Sequence, residues 1–474
     1  MKKSLIAIAV LGAAAFSAQA ANVTLYGTVD GGFMYKNHKV TVAGEQIGKK
    51  ENSFKFANGV DGANKIGIKG EEDLGNAKVG FKLENQFKLS DGEFKDSDKL
   101  FSREARLYVR NEFGELAGGR FGGLASAAGS YDLFFGEADA FDGGDNDIPY
   151  AFATSGRYDN SIAYQSPEIA GFQGTLMYSF QKKGDQADKM KDNDRYIGAG
   201  LTFKQDALAL VGVFEGQIRA NGDKNDHYKN GFTYNLGANY DFGMAKVFAG
   251  AQYAHNTNFS DIQHGLDADK IAANFGEKQL DGVLGMLNEH IADLNKDWNK
   301  DDADKDAIQD KAKKFVEHLN KVAGLPVKDG ADKKVIELAD FSDETAPLLK
   351  FDSDDKIANL APAVKKVAAG YAGMMGKQQY NGYAFTLGSQ IPFGANTVTV
   401  AGYMGQYKNA HDYIVDKKDI KLDIYGLDAR YEYSLSKRTT LAAGAGIGQT
   451  QFKYNGDKLK SKIAQVYAGL HHNF

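Results

Sequence analysis

Between Phe121 and Ser155 the chain carries Asp132, Glu137, Asp139, Asp142, Asp145 and Asp147, and not one Lys or Arg. Five of its nine arginines, Arg103, Arg106, Arg110, Arg120 and Arg157, flank that stretch. Arg106 and Arg110 alternate with Leu107 and Val109, so they share one side of a strand. If the acidic segment bends toward the guanidinium groups across a narrow wet gap, a transverse field follows. Such a field orients polar solutes and admits small ions, while a solute of low polarity must disturb ordered water to pass. Lys65, Lys69, Lys78 and Lys82 lie on the polar faces of neighbouring strands and would extend the basic side, with ordinary solvation as their alternative. For the acids, the simpler reading is a solvated external connector whose arginine neighbours pair with it structurally.

Other chemistry is poorly supported. The chain has no H-E-x-x-H, G-x-S-x-G or G-x-x-x-x-G-K-[ST] motif. Gly444, Gly446 and Gly448 alternate with Ala445 and Ile447, which marks a close-packed strand position instead of a phosphate loop. His471 and His472 are adjacent and point to opposite faces, so they cannot easily share a metal. Asp352-Ser353-Asp354-Asp355 lacks the spacing and glycine of a calcium loop. No cofactor, no metal and no enzymatic activity are expected. Net charge is -5 without a basic tract, which argues against a nucleic-acid partner.

The elements that must position these charges are strands. Fifty-five glycines, 24 Tyr and 30 Phe against 6 Pro favour many β-strands, and the absence of cysteine leaves packing and backbone bonds to hold them. Residues 1–20, with Lys2 and Lys3, an apolar run from Leu5 to Phe16 and Ala18-Gln19-Ala20, read as a secretory signal. Later stretches never reach the 18 or more apolar residues that a membrane helix needs. Period-two alternation recurs in about sixteen segments, first from Asn22 to Met34 and last from Ile463 to Phe474. Short connectors such as 111–114, 204–206 and 241–243 alternate with long ones near 35–64, 90–100, 121–156, 181–194, 216–230, 255–379, 406–420 and 451–461. Phe113, Phe172, Phe203, Phe242, Phe393, Tyr433 and Phe474 sit beside the short ones. This pattern predicts an all-β, sixteen-stranded antiparallel transmembrane β-barrel over 21–474, with tight turns and an aromatic girdle at one end and long external loops at the other. Closure would pair the final strand with the first and leave no polar edge in lipid.

Asn22-Val23-Thr24-Leu25-Tyr26-Gly27, Ile66-Gly67-Ile68-Lys69-Gly70-Glu71-Glu72-Asp73-Leu74-Gly75, Gly118-Gly119-Arg120, Tyr158-Asp159-Asn160-Ser161-Ile162-Ala163-Tyr164-Gln165-Ser166-Pro167 and the terminal Phe474 resemble the general diffusion porins of Gram-negative outer membranes. The resemblance covers the chain except for 256–378. It implies an outer-membrane homotrimer of barrels among lipid and lipopolysaccharide, with loop 121–156 folded inward to narrow a channel for small hydrophilic solutes and ions. It also implies that Phe474 is the signal read by the barrel assembly machinery. A substrate-specific channel, and a surface adhesin or receptor displayed on a barrel, are the other readings.

Residues 256–378 change period. Leu280, Leu284, Leu287, Ile291, Leu294 and Trp298 form one helical stripe; Ile308, Ala312, Phe315, Leu319 and Val322 a second; Ile357, Leu360, Val364, Val367 and Tyr371 a third. They predict an inserted α-helical external segment joining strands eleven and twelve, able to cap the pore mouth in part. Such a segment is either a recognition module or a loop that grew without a ligand.

Overall fold

A computed structural model describes residues 22–42, 45–220, 229–263, 379–410, 420–454 and 457–474, with short pieces between 296 and 351. Its strands are β1 (Asn22–Val42), β2 (Glu45–Ala57), β3 (Lys65–Asp73), β4 (Lys78–Gln86), β5 (Glu104–Asn111), β6 (Gly114–Gly122), β7 (Arg157–Gln165), β8 (Phe172–Ser179), β9 (Arg195–Gln205), β10 (Leu208–Ile218), β11 (Gly231–Asp241) and β12 (Lys246–Asn258). A separate hairpin, β13 (Ile336–Leu338) and β14 (Leu349–Phe351), precedes β15 (Gln379–Phe393), β16 (Asn396–Asn409), β17 (Lys421–Ser436), β18 (Thr439–Tyr454) and β19 (Asp457–Asn473). β2 and β3 both pair with β1 and form two lengths of one wall strand, so the wall has sixteen staves.

All wall pairings are antiparallel between neighbours, and β19 closes on β1 from Thr28 opposite Asn473 to Val42 opposite Leu459. Closure satisfies the edge that an open sheet would expose to lipid. The last residue takes part: Gly27 and Phe474 exchange backbone hydrogen bonds at 3.1 Å, and the terminal ring occupies the space a side chain at position 27 would need.

Polarity is inverted relative to a water-soluble sheet. Leu107, Leu176, Leu236, Leu387, Leu427 and Ile447 are each more than half exposed, while Asp30, Glu84, Glu104, Glu215 and Asp428 are buried. An apolar outside and a polar inside at period two are what a barrel in lipid requires. The short turns have their own chemistry. The carboxylate or amide oxygen of Asp73, Asn111 and Asp241 accepts the N–H two residues on, at 2.8, 2.9 and 2.8 Å. Of the seven rings expected beside the short turns, Phe113, Phe172, Phe242, Phe393, Tyr433 and Phe474 are exposed, and Phe203 is half-buried against Phe172 at 4.6 Å.

Two regions differ from the sequence reading. The connector expected at 35–64 is largely a hairpin of β1 and β2, in which Phe33 stacks on Phe54 at 5.6 Å and meets Phe56 edge-on at 5.7 Å. Strands likewise extend into the loops expected at 406–420 and 451–461. The inserted segment does join the eleventh and twelfth staves, β12 and β15. β12 runs to Asn258 and is followed by a tight turn, Phe259–Asp261. The three helical stripes lie outside the described residues, apart from helical fragments at 296–297, 305–308 and 310. The hairpin β13–β14 has no counterpart in the sequence reading, since three-residue strands are too short to show a period. The proposed signal at 1–20 lies outside the described residues as well.

Candidate constriction site

The connector 121–156 leaves β6, folds against the inside of the barrel and returns to β7. Its apolar residues explain the direction. Phe121, Leu124, Phe134, Phe135, Ala138, Ile148, Ala151 and Phe152 are almost wholly buried, and a solvated external loop would leave them in water. The loop holds one helical turn, α1 (Phe135–Ala138), whose Phe134 and Phe135 rings meet Phe152 at 5.6 and 5.8 Å.

Its seat on the wall is built from small residues and hydrogen bonds. Side chains on Gly388, Gly405 and Gly446 would lie 2.8, 2.7 and 2.6 Å from Ala140, Ala151 and Ile148, and one on Gly426 would meet the Pro149 carbonyl. Gly446 and Gly448 thus occupy close-packed positions facing the loop, and Gly444 makes room for the Tyr467 ring. Wall side chains satisfy the loop backbone. Gln390 donates to the Ala140 carbonyl at 2.7 Å, Tyr407 to that of Ala151 at 2.7 Å, and Gln252 both accepts from the Ala153 N–H at 2.7 Å and donates to its carbonyl at 2.8 Å. The loop's start is held by Tyr196, whose hydroxyl accepts the Leu124 N–H at 3.0 Å, and by buried Glu215, which accepts the Ala125 N–H at 3.0 Å. Each bond fills a backbone group that would otherwise be buried without a partner.

The acids take part in the same docking. Asp132 accepts the N–H groups of Ser126 and Ala127 at 3.0 and 3.1 Å. Asp139 accepts Gly143, Gly144 and the Tyr403 hydroxyl at 2.9, 2.8 and 2.9 Å. Asp145 accepts the Tyr467 hydroxyl and stands 3.8 Å from Arg430. Glu137 pairs with Lys204 and accepts Asn239 at 2.8 Å, and Asp147 pairs with Lys36 at 2.8 Å. Asp142 is exposed, and its carboxylate has no hydrogen bond or ion pair among the described residues. Burial, with Asp142 adding repulsion, raises the Asp132 carboxyl to about 7. Burial raises Asp145 to about 6 against the lowering pull of Tyr467 and Arg430.

Among the described residues, none of the six acids forms an ion pair with any of the five arginines. The arginines find acids on their own wall instead. Arg103 pairs with Glu84 at 2.6 Å; Arg106 with Glu104 and Glu115 at 3.0 and 2.6 Å; Arg110 with Glu71; Arg120 with Asp159. Lys82 reaches Glu104 at 2.8 Å. Arg110 stands next to the short turn 111–114, at the end of β5 away from the loop. The loop meets this ladder where Tyr131 hydrogen-bonds Arg106 at 2.9 Å and Glu115 at 2.6 Å, and where Ser130 donates to Glu104 at 2.7 Å.

Lys65 and Arg157 have no side-chain hydrogen bond or ion pair among the described residues, and Lys69 lies over the Tyr26 ring at 5.4 Å. Lys95, in the connector before β5, has its ammonium pKa lowered by burial and then by Arg157 and Arg103. The pairing roles of Glu71, Glu84, Glu104, Glu115 and Asp159 escaped the sequence reading, although Glu71 and Glu84 share the lysines' faces on β3 and β4.

A second polar cluster was also missed. Asp30 accepts the N–H groups of Val60, Asp61 and Gly62 at 2.7, 3.0 and 2.7 Å and faces His471 at 3.1 Å, while Arg430 pairs with Asp61 at 2.8 Å. Asp30, Asp61 and His471 stand close enough to hold a metal ion. The filled lone pairs of Asp30 and the guanidinium on Asp61 make the cluster a clamp for 58–64 instead. His472 turns the other way, toward Thr439 at 2.9 Å.

Residues 7–278 match the Gram-negative porin family. The chain is 31% identical over 279 residues to an outer membrane porin protein of Bordetella pertussis, covering 54% of this chain and 70% of that one. It is 32% identical over 265 residues to outer membrane porin protein 32 of Delftia acidovorans, covering 52% and 68%. To the major outer membrane protein P.IB of Neisseria meningitidis serogroup B it is 29% identical over 314 residues, covering 63% and 87%. With a closed sixteen-stave barrel that is apolar outside and polar within, the chain belongs to the Gram-negative porin family and forms an outer-membrane channel for passive diffusion of small hydrophilic solutes and ions.

Proposed function

We propose that loop 121–156 is the constriction of this channel and that solutes pass between its exposed edge, at Asp142 and Asp147, and a basic wall of Lys65, Lys69, Lys82, Arg103, Arg106, Arg120 and Arg157, with Arg110 beyond it toward the short turns. The observation that carries the reading is the docking of the loop inside the barrel by buried aromatics and wall hydrogen bonds. Cations lacking an acidic partner among the described residues, Lys65 and Arg157 foremost, leave the wall with a positive surplus, whereas Glu137, Asp145 and Asp147 stand beside Lys204, Arg430 and Lys36. The channel should therefore pass small anions somewhat better than cations, with the preference fading as salt screens the wall.

The test is the reversal potential of purified protein in a planar bilayer across a KCl gradient. A sign favouring chloride supports the reading, and one favouring potassium contradicts it. Kinship with porins supports two further readings, that the chain forms trimers and that Phe474 serves in barrel assembly. The first is tested by the molecular mass of the protein in mild detergent, the second by folded yield after deleting Phe474.

A further inference from the structure

The return limb of the constriction loop, 151–154, has a partner that neither the family likeness nor the wall accounts for. It pairs with residues 261–263, the root of the inserted connector. Ala151 donates to the Gln263 carbonyl at 3.0 Å, Gln263 to the Phe152 carbonyl at 3.0 Å and Thr154 to the Asp261 carbonyl at 2.9 Å, with Ala153 opposite Ile262. The Gln263 side chain adds a bond to the Thr154 hydroxyl at 2.9 Å. Beneath this short ladder Ile262 and Phe259 are buried, and Phe259 meets Tyr380, on the far side of the insertion, at 5.6 Å. Phe152 then passes the contact to Phe134 and Phe135 at α1.

We propose that Phe259, Ile262 and Gln263 are positioning residues for the channel. They clamp the constriction loop from outside, so that both roots of the external connector are tied to the pore. The proposal rests on the reading of 121–156 as the constriction. Without the clamp, the limb would keep its wall bonds to Gln252 and Tyr407 but lose a whole edge of backbone pairing. Its excursions would then modulate the current.

Single-channel recording of the full chain tests this with Phe259→Ala and Gln263→Pro, the latter removing both the N–H that bonds Phe152 and the side-chain bond to Thr154. The expected result is a severalfold rise in low-frequency current noise, with the temperature at which the barrel unfolds nearly unchanged. Because the chain has no cysteine, Ala153→Cys with Ile262→Cys gives a reversible lock. Directly opposed residues flanked by such bonds sit about 4.5 Å apart at Cα, within disulfide reach. Oxidation should quiet the Phe259→Ala channel and reduction restore its noise. Parental noise in both variants, or failure of the cysteine pair to oxidise in the folded protein, overturns the clamp. The underlying reading fails separately, if shortening 125–153 leaves conductance and solute exclusion unchanged.

Discussion

The wall from β3 to β7 and the wall from β11 to β19 line the same barrel and treat charge in different ways. The first carries long cations, and it balances most of them with its own carboxylates, Glu71, Glu84, Glu104, Glu115 and Asp159. The second presents glycines, amides and tyrosine hydroxyls, on which the loop lies. A surface meant to meet passing solutes holds its charges in place by a ladder of pairs. A surface meant to hold a loop removes side chains where the backbone must come close and supplies donors where that backbone is unsatisfied. The acids and arginines that sequence places side by side thus end on different partners, and their field acts through the lumen without direct contact.

The comparison breaks most severely at the ladder. Arg106→Ala would leave Glu104, fully buried, and Glu115, largely buried, without their guanidinium. Glu104 keeps Lys82 at 2.8 Å and Ser130 at 2.7 Å, and Glu115 keeps Tyr131 at 2.6 Å, so two charge-assisted bonds are lost, about 3 kcal/mol together, and denaturant titration of the folded barrel should show it. On the loop's side, Gly388→Leu forces a side chain into Ala140, an overpacking cost of about 1–3 kcal/mol with a displaced loop and altered single-channel conductance. Gly402→Ala, where the nearest atom is Leu427 Cδ1 at 4.0 Å, should leave conductance unchanged.

Arg157→Gln sharpens the contrast. Among the described residues this arginine has no side-chain partner to strand, so stability should hold while the reversal potential shifts toward cations.

The smallest effect is on pH. Asp132 and Asp145 bind their protons more tightly in the docked loop, at about 7 and 6, than a free carboxyl does. Docking is therefore strongest at and below the ordinary carboxylate range near 4 and weakens as pH climbs through 6 and 7. Current noise should rise from pH 5 to pH 8, and Asp132→Asn should flatten that slope.

Much of this was legible in the chain. Strand periodicity gave the staves and the parity of connectors, and Phe474 at the end of an alternating run pointed to closure on the strand begun at Asn22. The cation positions followed from the same alternation. Partner choice did not, because pairing Arg106 with Glu104 and Glu115 depends on register between strands, and period alone leaves register open. The seat of the loop was hidden for a similar reason. Gly388, Gly405 and Gly426 are far apart in sequence and look like ordinary strand glycines until 121–156 is laid against them. The ladder between 151–154 and 261–263 joins two connectors, for which no periodic signal exists.

The most direct measurement is a disulfide between loop and wall. With Ala140→Cys and Gly388→Cys in the full chain, the two Cβ positions lie 2.8 Å apart and the new one lies 2.8 Å from the Val400 carbonyl, so loop and wall must part by about 0.7 Å to reach the disulfide span. The account predicts that the pair oxidises in folded barrels and that the locked channel conducts as the reduced one does. Two free thiols that both take up a maleimide after oxidation, with the barrel intact, would contradict it.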